Sequence, residues 1–277
     1  MAHRPDTLEH APLGRDSAYP EQYDAGLLYP IPRAANRAPL GIDEGVLPFV
    51  GEDEWHAFEV SWLNSRGKPI VAVARFRLPA SSPNLIESKS WKLYLNSFNQ
   101  SRFYSRQEVM ETMANDLAVA AGAEVSVELF DVDASELSPQ QLPGECLDDL
   151  DIAINDYTPS SAHLSVGDEI VEETLYSHLL KSNCPVTGQP DWGSVLIRYQ
   201  GPKIDREGLL RYLIGFRQHQ DFHEHCVEHI FTDLMTHAKP TQLLVLARYV
   251  RRGGLDISPW RATPGLTPPT PLRLARQ

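Results

Sequence analysis

The chain has 277 residues, 42% of them apolar and 22% charged, which describes an ordinary globular protein and excludes a disordered one. Its 37 Asp and Glu against 25 Lys and Arg give a formal net charge of −12, which argues against a broad nucleic-acid footprint while leaving room for a local basic pocket. No apolar run approaches the roughly 20 residues of a membrane span, and the first residues carry no apolar signal core. Three cysteines are too few, and odd in number, for a disulfide framework, so the simplest reading is a cytoplasmic protein with reduced thiols.

Residues 1–50 are rich in Pro, Arg, Asp and Tyr without periodicity and read as an N-terminal arm draped over the surface. A first folded unit is expected over 51–135. In it, 55-WHAFEVSWLNSRGKPIVAVARFRLP-79 predicts two strands joined by the turn 64-NSRGKP-69, with alternation read through Val71, Val73 and Phe76. Ser105 and Glu108 have the spacing of a capping box, Val109, Met113, Leu117 and Ala120 share a helical face, and Gly122 stops it. The run 124-EVSVELFDV-132 alternates as a strand, and 136–170 reads as an acidic, Pro-containing connection. Over 171–277 the order recurs. A strand at 194-SVLIRYQ-200 precedes a helix capped by Asp205, a second helical face carries Val227, Ile230, Phe231 and Leu234, and 242-QLLVLARYV-250 closes the sequence of strands.

The halves also echo each other in sequence. The run 94-YLNSF-98, then Phe103 and Asp116-Leu117, is matched by 212-YLIGF-216, then Phe222 and Asp233-Leu234. Such self-similarity supports duplication of a strand–strand–helix–helix–strand–strand unit.

Candidate chemistry concentrates in a few runs. In 182-SNCPVTGQPDWGS-194, Pro185 pushes Cys184 toward an extended conformation at the edge of a strand, where a thiolate can act as a nucleophile and Asp191 as a proton donor or acceptor. A buried inert thiol accounts for the same cysteine, and Cys146 and Cys226 read as structural. The cluster 223-HEHCVEH-229 admits two readings. His225, Glu228 and His229 fit the H-x-x-E-H pattern of a zinc site, whereas Val227, Ile230 and Phe231 mark the same turns as packing. Glu224, at the entry to this helix, can accept two parallel N–H bonds from a guanine-like edge. Ser88 and Lys89, within 86-IESKSWKLYLNSFNQSRF-103, offer a phosphate contact, and an amphipathic helix with a solvated face explains that run equally. Arginines and Gly253-Gly254 in 248-RYVRRGGLDISPWR-261 suit a phosphate or a tight turn. The acidic run 148-DDLD-151 reads as solvated charge, and there is neither a G-x-G-x-x-G nor a G-x-x-x-x-G-K-[ST] motif.

Four of these runs together, 87-ESKSWKLYLNSFNQSRF-103, 180-LKSNCPVTGQPDWGS-194, 222-FHEHCVEHIF-231 and 249-YVRRGGLDISPWR-261, resemble the long bacterial form of the 7-cyano-7-deazaguanine reductases, the nitrile reductases of queuosine biosynthesis. The resemblance covers nearly the whole chain. It implies an α+β chain of two fused tunnelling-fold (T-fold) units, each β-β-α-α-β-β with antiparallel sheets and helices on one face, assembling into a barrel as a homodimer. It implies NADPH as cofactor and a small deazaguanine nitrile as substrate, with no direct nucleic-acid or membrane partner and no metal. By the same resemblance, Cys184 forms a covalent thioimide and Asp191 donates a proton. Ile86, Glu87, Ser88, His223 and Glu224 contact the base, and Ser88, Lys89, Arg252 and Gly253 contact NADPH. The competing readings are a zinc-dependent tunnelling-fold cyclohydrolase using Cys184 and the helix histidines, and a non-catalytic purine-binding module.

Overall fold

The computed structural model describes residues 19–267, 269–270 and 272–277, which divide into two compact units. Unit 1 comprises the described residues up to Pro39, Glu52–Ser138 and Arg251–Asp256. Unit 2 comprises Leu40–Gly51, Pro139–Val250 and, among the described residues, Ile257–Gln277.

Unit 1 begins with β1 (Pro30–Pro32) and α1 (Ala34–Arg37), followed by the hairpin β2 (Val50–Leu63) and β3 (Pro69–Pro79). At the hairpin tip the Asn64 side chain accepts the N–H groups of Arg66 (2.9 Å) and Lys68 (3.0 Å), the local bonding that makes asparagine a turn residue. A short strand β4 (Asn84–Ile86) pairs with β1 and leads into α2 (Ser88–Ser97) and α3 (Arg106–Ala121), and β5 (Ser126–Phe130) returns to pair with β3. The sheet of this unit therefore runs β5-β3-β2, all antiparallel. On β3 Ala72, Ala74, Phe76 and Leu78 are covered, and Val73 is buried too; of the residues through which the alternation is read, Val71 alone is turned outward, at 58% exposed. Alanine and valine are both apolar, and only cross-strand register tells which set faces inward. Trp91 of α2 seals that side by stacking on Trp55 at 4.3 Å and meeting Phe76 edge-on at 5.1 Å.

Two further expectations are corrected in detail. Ser105 Oγ does accept the Glu108 N–H (3.1 Å), but the Glu108 carboxylate takes the N–H of Tyr104 (2.6 Å) rather than that of Ser105. The buried stripe of α3 is Val109, Met113, Leu117 and Ala121, with Ala120 turned partly outward, before Gly122 ends the helix in a left-handed conformation. The segment 30–37 is not merely draped over the surface. Arg33 is fully buried, donating to Asp53 (2.5 Å) and Ser82 (3.2 Å), and Arg37 donates to the Ala80 carbonyl (2.6 Å). The part of the expected arm at 1–18 lies outside the described residues.

Unit 2 contains β6 (Glu145–Cys146), β7 (Val166–Ser177), β8 (Lys181–Asn183), β9 (Pro190–Ile204), α4 (Arg206–Gly215), α5 (His223–His237), β10 (Gln242–Tyr249) and, from Ile257 onward, β11 (Leu255–Ala262), whose first two residues fall in unit 1. Its strand order is β11-β10-β9-β7-β6, antiparallel except for β6 beside β7, with β8 pairing the first residues of β9. Strand pairing thus begins inside the 136–170 segment, and 242–250 is not the closing strand, because β11 follows and pairs with it. One side of this sheet packs Leu196, Leu244, Leu246 and Trp260 against Leu142 and Leu274. The other receives α5, whose Val227, Ile230, Phe231 and Leu234 are all buried.

Each unit holds its helix pair with the same device. In unit 1 the Tyr94 hydroxyl donates to Asp116 (2.6 Å) and its ring meets Phe98 edge-on at 5.2 Å. In unit 2 Tyr212 donates to Asp233 (2.8 Å) and meets Phe216 edge-on at 5.4 Å. Burial, then the neighbouring carboxylate, raises both phenols well above their ordinary value. The architecture is mixed α and β throughout, and no described helix is long and apolar enough to cross a membrane.

Candidate active site

The candidate residues fall into two groups, one in each unit. In unit 2, β8 is bonded on both edges. Ser182 opposes Asp191 and Asn183 opposes Pro190 on β9, while on the other side the Asn183 N–H donates to His219 (2.8 Å) and its carbonyl accepts from Asp221 (3.1 Å). Cys184 prolongs the strand by donating its N–H to the Gln189 carbonyl (2.9 Å), and the tight turn is closed by the Gly188 N–H on the Cys184 carbonyl (3.0 Å). Strand periodicity then sets Ser182, Cys184 and Asp191 on one face of this ribbon. The thiol is therefore not in an open loop. Cys184 is 3% exposed and Asp191 7%.

The bonds from His219 and Asp221 to Asn183 also fix where α5 begins. Asp221 accepts the Phe222 N–H (2.8 Å) and faces His225 Nδ1 (3.2 Å). Burial by itself would raise the Asp221 carboxyl, but hydrogen bonds from His219, His225 and the Phe222 N–H prevail and hold it well below the usual range. His223 and Glu224 occupy the first turn. His223 Nε2 lies 3.6 Å from Asp191 Oδ1, just beyond a direct hydrogen bond. Glu224 is buried at the helix end whose N–H dipoles favour a carboxylate. Cys226, on the next positions of the same helix, is fully buried, and burial pushes its thiol well above its ordinary value.

The H-x-x-E-H residues have separate engagements. His225 faces Asp221, Glu228 accepts two bonds from the buried Arg261, and His229 faces Asp233 (3.3 Å). Among the described residues, no group of three or more His, Cys, Asp and Glu is placed to hold a metal ion.

In unit 1, Ile86 is buried at the end of β4 and Glu87 caps α2, its two carboxylate oxygens accepting the N–H groups of Lys89 (2.7 Å) and Ser90 (2.7 Å). Burial raises the Glu87 carboxyl; those two N–H groups and the charges of Lys92 and Lys89 oppose it. Lys89, Lys92 and Asn96 then line one side of a cleft of about 290 Å³, with Glu59, Gly253 and Gly254 opposite. The glycine pair is required there. Both have positive φ (61° and 81°), and a Cβ would sit 3.2 Å from the Lys92 stem at Gly253 and 3.0 Å from Glu59 Cγ at Gly254. The Gly254 carbonyl accepts the Phe58 N–H (2.9 Å) at the irregularity in β2, which fixes this turn against the strand. Of the expected cofactor contacts, Lys89 and Gly253 line the cleft, whereas the half-buried Ser88 and Arg252 lie outside its lining. Lys92, one of the basic residues of the 86–103 run though not among the expected cofactor contacts, and Asn96, which carries no such expectation, are three and seven residues after Lys89. That helical spacing was their available signal.

Two family matches bracket these groups. The family described as nitrile reductase, 7-cyano-7-deazaguanine-reductase N-term, matches residues 19–129, which include Ile86 to Lys89, and the QueF-like protein family matches 190–265, which include Asp191, His223 and Glu224; Cys184 falls between them. Among curated relatives, a Chromohalobacter salexigens protein is 74% identical over 100% of both chains, and one from Chromobacterium violaceum is 56% identical over 98% of each. A third, from Bordetella avium, is 57% identical over 98% of this chain and 99% of its own. All three are named NADPH-dependent 7-cyano-7-deazaguanine reductase. A solved archaeosine synthase QueF-Like in the apo form aligns at 14% identity over 36% of this chain and 99% of that one, with a TM-score of 0.31, too low to bear on the fold. With both matches in chain order and three-quarters identity along its full length to one such relative, the chain belongs to the 7-cyano-7-deazaguanine reductase family.

Proposed function

We propose that this protein reduces the nitrile of 7-cyano-7-deazaguanine to the primary amine 7-aminomethyl-7-deazaguanine, with NADPH as reductant and Cys184 as covalent catalyst. The observation that carries the reading is the β8–β9 ribbon, which sets a cysteine and a carboxylate on one face beside the start of α5. A nitrile accepts hydride poorly. Addition of the Cys184 thiolate forms a C–S bond at the nitrile carbon, and one pair of C≡N π electrons moves to nitrogen, which takes a proton from Asp191. The resulting thioimide carbon is the activated acceptor. After the first reduction the nitrogen lone pair expels the sulfur, Cys184 regains its electron pair, and the imine left behind takes the second reduction. Glu224, beside His223 in unit 2, reads the guanine-like edge through paired N–H bonds; Ile86, Glu87 and Ser88 are the base contacts proposed for unit 1. The buried carboxylate of Glu87 is already engaged by the helix cap, so its part is to hold the β4–α2 corner.

The cleft of unit 1 suits an anionic cofactor, since it offers two ammonium groups on one helical face and a turn where the absence of Cβ atoms lets a ligand approach closely. Lys89, Lys92 and Gly253 would hold NADPH there, with Ser88 and Arg252 at its margin. When bound, NADPH supplies hydride, two equivalents per nitrile.

The matched helix pairs, Tyr94–Asp116 and Tyr212–Asp233, support two fused T-fold units at 51–135 and 171–277, with 1–50 as arm and 136–170 as connection. Barrels of such units need several copies, so a homodimer in the cytoplasm, acting on the free base without touching nucleic acid, completes the proposal.

The test is intact-mass spectrometry of protein mixed with 7-cyano-7-deazaguanine without NADPH. Wild type and Cys226→Ala are expected to gain the mass of one substrate and Cys184→Ala none. An adduct that survives in Cys184→Ala, or wild type that gains no mass, would overturn the covalent mechanism.

A further inference from the structure

Gly193 sits inside β9, where a glycine weakens the strand and marks a close approach by another group. The group is Tyr249. The two are register partners across β9 and β10, and a Cβ on Gly193 would lie 3.1 and 3.3 Å from Cδ1 and Cε1 of the Tyr249 ring. Laid across the glycine, that ring meets the His223 imidazole edge to face, with centroids 4.1 Å apart and planes at 70°. The imidazole in turn presents Nε2 to Asp191 at 3.6 Å. Asp191 and Gly193 share a face of β9, so strand alternation brings carboxylate, ring and imidazole to the same side of the sheet.

The Tyr249 hydroxyl is fully buried beside Ser182 and the Cys226 thiol, without well-formed hydrogen-bond geometry to either. What holds the residue is its backbone and ring. Its carbonyl accepts from the Gln277 side chain (3.4 Å), and the Gly193 carbonyl opposite accepts from Arg276 (3.0 Å).

We infer that Tyr249 is a positioning residue: its ring, admitted by Gly193, sets the His223 imidazole against Asp191. This rests on the proposed role of Asp191 as proton donor to the nitrile nitrogen. The experiment compares Tyr249→Phe, Tyr249→Leu and Gly193→Ala in the full-length protein. It follows thermal unfolding, the rate of adduct formation at Cys184 without NADPH, and kcat and KM in the complete reaction. Tyr249→Phe keeps the ring and should match wild type in rate, with equal or higher Tm. Tyr249→Leu should form adduct and turn over about 10- to 100-fold more slowly with KM little changed, the order expected when a catalytic group shifts by about 1 Å. Gly193→Ala, which leaves Tyr249 intact but displaces its ring, should slow both in the same direction. A folded Tyr249→Leu with the wild-type adduct rate overturns the inference, as does a Tyr249→Phe as slow as Tyr249→Leu. Should Tyr249→Leu fail to fold, an unchanged rate in Gly193→Ala overturns it instead. Wild type that forms no adduct and consumes no nitrile would instead sink the proposed function beneath it.

Discussion

Arg261 enters the interior of unit 2 from β11 and gives two N–H donors, at 3.0 and 2.8 Å, to one carboxylate oxygen of Glu228, with both side chains fully buried. Removing one member of such a pair deprives a buried charge of its partner, which costs about 3–5 kcal/mol. Glu228→Gln should therefore lower the unfolding free energy in urea by about that amount; a change below about 0.5 kcal/mol, the usual effect at an uninvolved surface site, would contradict it. Asp221 makes a pH-dependent contribution with a definite sign. Its folded-state pKa is depressed, so the stabilisation is complete above the unfolded value near 3.9 and is lost as pH falls from there through the lower folded value. Asp221→Asn should be less stable than wild type near neutral pH, and the difference should shrink below about pH 4. A difference that stays constant with pH would mean the carboxylate charge is not what stabilises the start of α5.

At the level of elements, the Tyr–Asp ties within the two helix pairs are the local bonds most open to test. Tyr94→Phe and Tyr212→Phe each remove one hydrogen bond to a carboxylate and should each cost about 1–3 kcal/mol in urea unfolding. If one costs this much and the other nothing, the two helix pairs are not held alike. The recurrence of tyrosine and aspartate at nearly equal separation in the two halves, 22 and 21 residues, is legible in sequence, but the bond between them is not. Strand β11 was not. Its run 255-LDISPWRA-262 is buried throughout yet carries Asp256, Ser258 and Arg261, and no period of two survives them. Each polar group is matched by a residue distant in sequence, Asp256 by His56 (3.0 Å), Ser258 by Gln277 (3.0 Å) and Arg261 by Glu228. Such strands become visible only when tertiary partners are known. On β3 only Val71 departs from the expected alternation, since register decides which apolar residues are covered.

Over the whole molecule, acidic excess and local basic chemistry coexist, with a net charge of −12 and two lysines gathered on one face of α2 beside the paired glycines. Composition argues against a broad nucleic-acid surface but says nothing of the cleft, because a pocket is a property of neighbours rather than of totals. The cysteine, the carboxylate and the His-Glu pair were picked out from short runs, and the fold explains their grouping in unit 2: β8 is bonded to β9 on one side and to the segment before α5 on the other. Tyr249, a plain strand tyrosine in sequence, was passed over because only the register with Gly193 shows where its ring goes. A four-electron reduction is measured as the NADPH oxidised per 7-cyano-7-deazaguanine consumed by chelator-treated protein. Two NADPH per nitrile, with the aminomethyl base as product and no turnover in Cys184→Ala, is the result expected. Consumption of the base without NADPH oxidation, or full turnover in Cys184→Ala, would contradict it.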